Sequence, residues 1–391
     1  MIRKAVSFMI VIVLVTVNIA GGMIKAGAEE EEYKNIDELL NNCSSECIAV
    51  YEANTGTLIG GKNENEKRYI SHLTKLMTAL IVNDHIASGE LNIDEKLKTS
   101  EYANSMQGVQ IWLDVGEEIT VDELIKAITI SNANDAAVVL AEGCCQSEEK
   151  FVKEMNKRAK KLGMNNTSFA DCTGTSEKNI STARDISILI GELAKNNVFE
   201  EYFKMRIAEV GRKGSQLVTQ NKLIGNYKGC CGYKSCYSEN EGEMLAAASK
   251  QRDMAVCTVV IGAKNEETKY SEAKAVTDFA FTHCEIYYPE IPAEATADIE
   301  VEHGKKPIVG TEITGERNII IERGTYRQIY TEFTREEIVK APVSKGDKIG
   351  TLVFYNDKGE ILRCGIAASD NVEEMDILFA FKCLLYNLFN I

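Results

Sequence analysis

The residues able to do chemistry fall in three short polar clusters. The first is Ser71-His72-Leu73-Thr74-Lys75. Residues three and four apart share one face of a helix, so either the His72 imidazole or the Ser71 hydroxyl can meet the Lys75 amine there. An amine beside a hydroxyl is a base beside a nucleophile. The second cluster is Ser131-Asn132-Ala133-Asn134, a hydroxyl and two amides within four positions. The third is Lys234-Ser235-Cys236. On a strand, residues two apart face the same way, so the side chains of Lys234 and Cys236 project together. No cofactor and no metal are expected. Four histidines are present and none forms a helical H-x-x-x-H pair. His72 and Cys236 would lack the third and fourth ligands that zinc takes, and no paired C-x-x-C elements supply them.

Several elements must hold these clusters. Glu46 to Glu52 reads as a strand, Asn54-Thr55-Gly56 as a turn, and Leu58-Ile59 as the returning strand of a hairpin. Thr74 to Val82 is an apolar run of good helix formers, the mark of a buried helix. Val121 to Ile130 is a second helix, with Thr120 as N-cap and Glu123 completing a capping box. Ala133 to Glu142 and Thr182 to Ala194 are two more helices, and Leu245 to Ser249 and Met254 to Ile261 are strands around a Lys-Gln-Arg-Asp turn. The first 288 residues contain no proline; Pro289 and Pro292 then mark a linker. Beyond it, short apolar strands alternate with glycine-rich turns, the pattern of a small all-β module.

Composition sets further bounds. The chain has 391 residues, 45% apolar and 26% charged, enough for two globular domains. A net charge of −15 argues against sequence-independent nucleic-acid binding, which needs a basic surface. The twelve cysteines do not space like a disulfide scaffold and read mostly as small apolar core residues, although Cys43 and Cys47 could bridge locally. The N-terminus reads as an export signal: Arg3 and Lys4, an apolar run from Ala5 to Ala20, then Ala26-Gly27-Ala28 as a cleavage site before four glutamates. From Met375 to Ile391 the chain is apolar except for Asp376, Lys382, Asn387 and Asn390, which fall on one side of a helix. Such a helix reaches about 26 Å at ~1.5 Å per residue, short of a bilayer core, and is expected to lie in a membrane interface.

With these residues in view, the chain resembles the low-molecular-weight penicillin-binding proteins, the serine-type D-alanyl-D-alanine carboxypeptidases. Their pattern runs TG-x-x-L, an Asn, then P-A-S-x-T-K-x-M-T-A. Here Thr55-Gly56 leads without a gap through Asn63 to Lys75-Leu76-Met77-Thr78-Ala79. The family's S-[AG]-N-D-A-x-x-A-L-A-E is matched by Asn134-Asp135 and Leu140-Ala141-Glu142, and its G-x-D-G-x-K-T-G by Gly229 through Cys236. Asp171 to Thr175 and Asn179 to Asp185 resemble a further family stretch, and Ala341-Pro342-Val343 through Gly350 resembles its β domain.

The resemblance implies an α/β (α+β) penicillin-binding and β-lactamase-like transpeptidase domain, with an antiparallel sheet and a helical subdomain. A small all-β domain and a C-terminal amphipathic helix follow. The segments expected are a signal peptide over 1–28, an acidic linker over 29–35, the peptidase-like domain over 36–288, the β domain over 289–370 and the membrane-associating helix over 371–391. The family mechanism implies a serine nucleophile at a helix start with a lysine base one turn on, a Ser-x-Asn loop that shuttles the proton, and a Lys-Thr-Gly strand that binds the substrate carboxylate. In this register the nucleophile position is His72, the loop serine is Asn132 and the strand glycine is Cys236; Lys75, Asn134 and Lys234 are retained, and Ser235 can replace the threonine. Two readings stay open. One is an exported, wall-associated homologue that is catalytically impaired and binds peptidoglycan stem peptides or acts as a scaffold. The other is an active carboxypeptidase that uses Ser71 with Lys75, a view kept open by Ser131, which is displaced by one residue in the same direction.

Overall fold

A run of apolar residues with only small polar interruptions forms the middle of the molecule: Met254–Ala263 (MAVCTVVIGA). A strand reads this way when both of its faces are covered. The structure, a computed structural model, describes residues 33–195, 197–357 and 359–389. The expected signal peptide lies outside them.

Five antiparallel strands build the main sheet. In chain order they are β1 (Cys47–Glu52), β2 (Thr57–Lys62), β3 (Cys230–Ser238), β4 (Gly242–Gln251) and β5 (Met254–Ala263), and in space they run β2-β1-β5-β4-β3. The expected hairpin is present, with Gly56 in the left-handed conformation at its turn. Register aligns Tyr51 with Cys257 and Val50 with Thr258. Adjacent positions on β5 therefore look to opposite helices. Thr258 hydrogen-bonds Thr277, 2.7 Å away on the helix Glu266–His283. On the other side Tyr51 packs on Gly191 of the helix Ala183–Ala194.

The helices, numbered in chain order, are α1 (Ile36–Asn42), α2 (Lys75–Ser88), α3 (Val121–Lys126), α4 (Asn134–Cys145), α5 (Glu148–Lys161), α6 (Ala183–Ala194) and α7 (Glu266–His283). Asn35, assigned above to the acidic linker, caps α1 instead, accepting from the Glu38 N–H at 2.9 Å. Every side chain from Lys75 to Asn83 is buried, so this part of α2 has no solvent face and is the axle of the helical subdomain. A 3-10 turn, Ser71–Thr74, leads into it. The Thr120 capping box forms as the sequence implies, with the Thr120 hydroxyl on the Glu123 N–H and the Glu123 carboxylate on the Thr120 N–H, both at 3.2 Å.

Past α3 the chain departs from the single helix expected to Ile130. A π-helical turn, Ala127–Ser131, intervenes. Wider turns of this kind release a backbone carbonyl set from the regular ladder. The turn ends at Asn132, which is left-handed at φ +66°.

Residues Ile299 to Ala368 form the all-β module. One sheet orders Thr311–Thr314, Gly359–Ala368, Lys348–Asn356 and Tyr330–Arg335; a second joins Ile308–Val309, Ile299–Glu302 and Ile338–Lys340. The tail helix is shorter than expected, Ile377–Phe389. Asp376 is not on its polar face; it caps the helix, accepting from the Phe379 N–H at 2.8 Å. Ile377, Leu378, Phe381 and Leu384 are exposed. Among the described residues no helix is long and apolar enough to cross a membrane. The twelve cysteines are free thiols, so the bridge open to Cys43 and Cys47 is not made.

Replacing Thr120 by Ala removes both halves of the capping box and is expected to cost about 1 kcal/mol of stability. Urea unfolding reads this as a lower midpoint at unchanged slope.

Candidate active site

Three elements converge on the start of α2. Lys75, fully buried, places its amine among three acceptors. Asn134 Oδ1 lies at 2.6 Å, the Thr173 carbonyl at 2.5 Å and His72 Nδ1 at 3.3 Å. An ammonium has three protons to donate, and these acceptors use all of them. His72 Nδ1 also lies 3.5 Å from the Thr173 carbonyl; beside a protonated Lys75 the closer contact makes Nδ1 the acceptor, and the ring proton then sits on Nε2. Burial lowers the Lys75 pKa to about 8, which leaves the amine mostly protonated at neutral pH. Burial, and then the Lys75 charge, lowers His72 to about 3, so the ring is neutral.

His72 and Lys75 are three residues apart across the 3-10 turn and the helix start, which is why they meet. Ser71 does not join them. It is buried, with φ +44°, and lies by the Tyr69 hydroxyl, which donates to the Gly174 carbonyl at 2.7 Å. The Ser71 carbonyl is pressed against Gly174. A Cβ there would lie 2.0 Å from that oxygen, and Gly174 also has φ +81°, so only glycine fits.

The turn that carries Thr173 is shaped by a carboxylate. Asp171 accepts from the N–H groups of Thr173 at 2.8 Å, Gly174 at 2.5 Å and Ser176 at 2.7 Å. That bond set aims the Thr173 carbonyl at Lys75. On the far side, α4 holds the roof of the site. Asn134 donates to the Gln107 carbonyl at 2.6 Å and Asp135 accepts from the N–H groups of Ile111 and Leu113.

The second lysine repeats the pattern. Lys234, on β3, is buried and donates to the carbonyls of Ile128 and Thr129 and to Asn132 Oδ1 at 2.5 Å. The carbonyls come from the π-helical turn and the amide from the left-handed residue that ends it. Burial, then repulsion from Lys75, pulls the Lys234 pKa well below the usual range. Ser131 points away, donating to the Ala127 carbonyl at 3.0 Å. Asn132, not Ser131, faces the strand.

Cys236 is buried in the charge field of Lys269, Lys234 and Lys75; burial pushes the thiol up to about 11, so it stays protonated. Ser235, like Ser71 and Ser131, lies apart from the two lysines of the site. Strand alternation turns it to α7, where it accepts from Lys269 at 2.8 Å and from the Tyr270 hydroxyl at 3.0 Å. Lys269 also pairs with Glu243 at 2.5 Å. Ser235 was expected at the site because it can replace the family threonine, and the alternation that pairs Lys234 with Cys236 sends it to the other face. The sequence also gave no prominence to the Thr173 carbonyl or to Lys269. A carbonyl ligand has no residue signature, although the Asp171-to-Gly174 turn pattern hints at a shaped loop.

Comparison with known proteins supplies the frame for this site. Residues 34–265 match the D-alanyl-D-alanine carboxypeptidase family, and residues 293–374 match the penicillin-binding protein 5 C-terminal domain. The chain belongs to the D-alanyl-D-alanine carboxypeptidase family. It is 32% identical to D-alanyl-D-alanine carboxypeptidase DacF of Bacillus subtilis over 90% of this chain and 92% of that protein. The fold matches penicillin-binding protein 5 of Haemophilus influenzae with a TM-score of 0.76 at 22% identity, covering 85% of this chain and 98% of that one. Penicillin-binding protein D2 of Listeria monocytogenes, in an ampicillin-bound form, matches at TM-score 0.55 and 26% identity over 61% of this chain and 98% of that one.

The buried neutral ring has a consequence for stability. Unfolded, His72 takes up a proton near pH 6.5; folded, it does so only near 3. Unfolding therefore binds a proton between those values, and stability is full above about pH 6.5 and falls as pH drops towards 3. His72→Asn should flatten the fall of unfolding free energy over this window, by at most about 1.4 kcal/mol per pH unit. Denaturant titrations of both proteins at several pH values measure the two slopes.

Proposed function

We propose that this protein is a peptidoglycan-directed carboxypeptidase homologue that has given up acyl-enzyme chemistry and keeps a site for the D-alanyl end of stem peptides, or serves as a scaffold. Family membership supports the substrate class. The observation that carries the loss of chemistry is the His72 imidazole, 3.3 Å from the Lys75 amine, at the position where the family places its serine. A neutral imidazole accepts a hydrogen bond there but offers no hydroxyl to form an ester. Asn132 likewise accepts from Lys234 but cannot relay a proton as a hydroxyl does. The thiol of Cys236 adds bulk where a glycine lets substrate backbone lie close.

Export and a membrane-surface position belong to the same proposal. The residue pattern of 1–28 supports the first, and the exposed apolar side chains of the tail helix support the second. Thirteen residues rise about 20 Å, which suits lying on a bilayer rather than crossing it.

The test is covalent labelling with a fluorescent penicillin, the ligand class seen in the Listeria relative. The wild-type protein is expected to give no stoichiometric band. A band abolished by Ser71→Ala would establish the alternative of an active Ser71, and a band that survives it would place a nucleophile elsewhere; either outcome overturns the proposal. A second arm restores the hydroxyl. His72→Ser alone should release D-alanine from a D-alanyl-D-alanine peptide at least ~10²-fold more slowly than the triple change His72→Ser, Asn132→Ser and Cys236→Gly, because geometry around the oxyanion and the proton path both matter. Equal rates would contradict the roles given to Asn132 and Cys236.

A further inference from the structure

At the opposite end of α2 from Lys75, ten residues and about 15 Å along the helix axis, three side chains from three helices come together. They are His85 on α2, Cys145 at the end of α4 and Glu154 on α5. We propose that His85, Cys145 and Glu154 form a zinc site that clamps the three helices.

Geometry carries this. Zinc holds nitrogen, oxygen and sulfur ligands at about 2.0–2.3 Å in a tetrahedron, so neighbouring ligand atoms sit ~3.3–3.6 Å apart. Here His85 Nε2 lies 3.3 Å from Glu154 Oε2, Cys145 Sγ lies 3.2 Å from the same oxygen, and Sγ to Nε2 is 4.0 Å. Two of the three separations fit one face of such a tetrahedron, and the third, 4.0 Å, closes to it with a small side-chain shift. The fourth corner is left to water, since the Glu154 side chain is partly open to solvent. Three protein ligands and a water are the set that zinc takes in open sites, whereas closed structural sites use four protein ligands.

The surroundings are also those of a metal site. His85 Nδ1 lies 2.9 Å from the Glu90 carboxylate. A carboxylate on the remote ring nitrogen fixes the tautomer and leaves Nε2 as a free lone pair. His85 and Cys145 both sit in the last turn of their helices, ending at Gly89 and Gln146, where carbonyl dipoles favour a cation. The one lysine nearby in the charge field of Cys145 is Lys150, which is engaged with Gln146 at 3.0 Å. Burial and then the Glu154 hydrogen bond push the Cys145 thiol up to about 12. Zinc therefore displaces one proton from sulfur as the Zn–S bond forms. No motif announces the site, because its ligands come from sequence positions 60 and 9 residues apart. The expectation of no metal from sequence spacing is revised on these contacts, and the clamp is independent of any chemistry at Lys75.

Cobalt provides the test. The purified protein is reduced, stripped with a chelator, and titrated with Co²⁺. The expected result is a thiolate-to-cobalt charge-transfer band that saturates at one equivalent and is displaced by Zn²⁺, which binds such sites more tightly. Cys144→Ser should leave the band unchanged, Cys145→Ser should abolish it, and Glu154→Gln should weaken cobalt affinity at least ~10-fold. Excess Zn²⁺ should raise Tm by about 5 °C in the wild type and not in Cys145→Ser. Circular dichroism checks that the variants fold; if Cys145→Ser does not, Glu154→Gln, changed at a partly exposed position, decides. No band at one equivalent, or a band indifferent to both changes, overturns the proposal.

Discussion

A buried ammonium must find acceptors, and the architecture around Lys75 follows from that demand. Leaving such a charge unpaired in the interior costs several kcal/mol. Its three acceptors come from three places: the 3-10 turn that opens α2, the first residue of α4, and the loop shaped by Asp171. Each must arrive within hydrogen-bonding distance of one atom. The same demand, made by Lys234, fixes the π-helical turn and the left-handed Asn132 against β3. Lys75 thus gathers the helical elements and their loop, and Lys234 ties the helical subdomain to the sheet.

This explains how the fold tolerates such residues at its centre. A hydroxyl beside an ammonium does two things: its oxygen accepts a hydrogen bond, and its proton can leave to make a nucleophile. The His72 nitrogen and the Asn132 amide oxygen do the first and not the second. On the proposed reading, packing and charge balance around both lysines are kept without the reactive group. Stability and reactivity are separable here because they use different properties of one side chain. The neutral thiol of Cys236 is compatible with the same reading, being a buried apolar filler on the face of β3 that Lys234 shares.

Much of the fold was legible in the sequence. The unbroken apolar runs of β5 and α2 can only be central, and the Thr120–Glu123 capping box marks a helix start by chemistry alone. The three-residue spacing from His72 to Lys75 also translated directly into contact. What the sequence hid was geometry without periodicity. The π-helical turn inserts its extra residue inside an ordinary helical pattern, and so converts Ser131 from a site candidate into a residue bonded to its own helix. Ser235 was placed at the site by its likeness to the family threonine, although alternation sends it to α7. The Asp376 side chain, counted with the polar face of the tail helix, caps it instead. The Thr173 carbonyl, a main-chain group, has no letter in the sequence at all.

The state of the His72 ring is the direct probe of the arrangement at Lys75. Nitrogen-15 NMR of selectively labelled histidine reads both ring nitrogens through a pH titration. A ring held against the ammonium stays neutral down to the neighbourhood of its lowered pKa of about 3, with the proton on Nε2 and Nδ1 shifted as an acceptor. A His72 ring that gains its proton near pH 6.5, as a solvent-facing imidazole does, would contradict its placement beside Lys75.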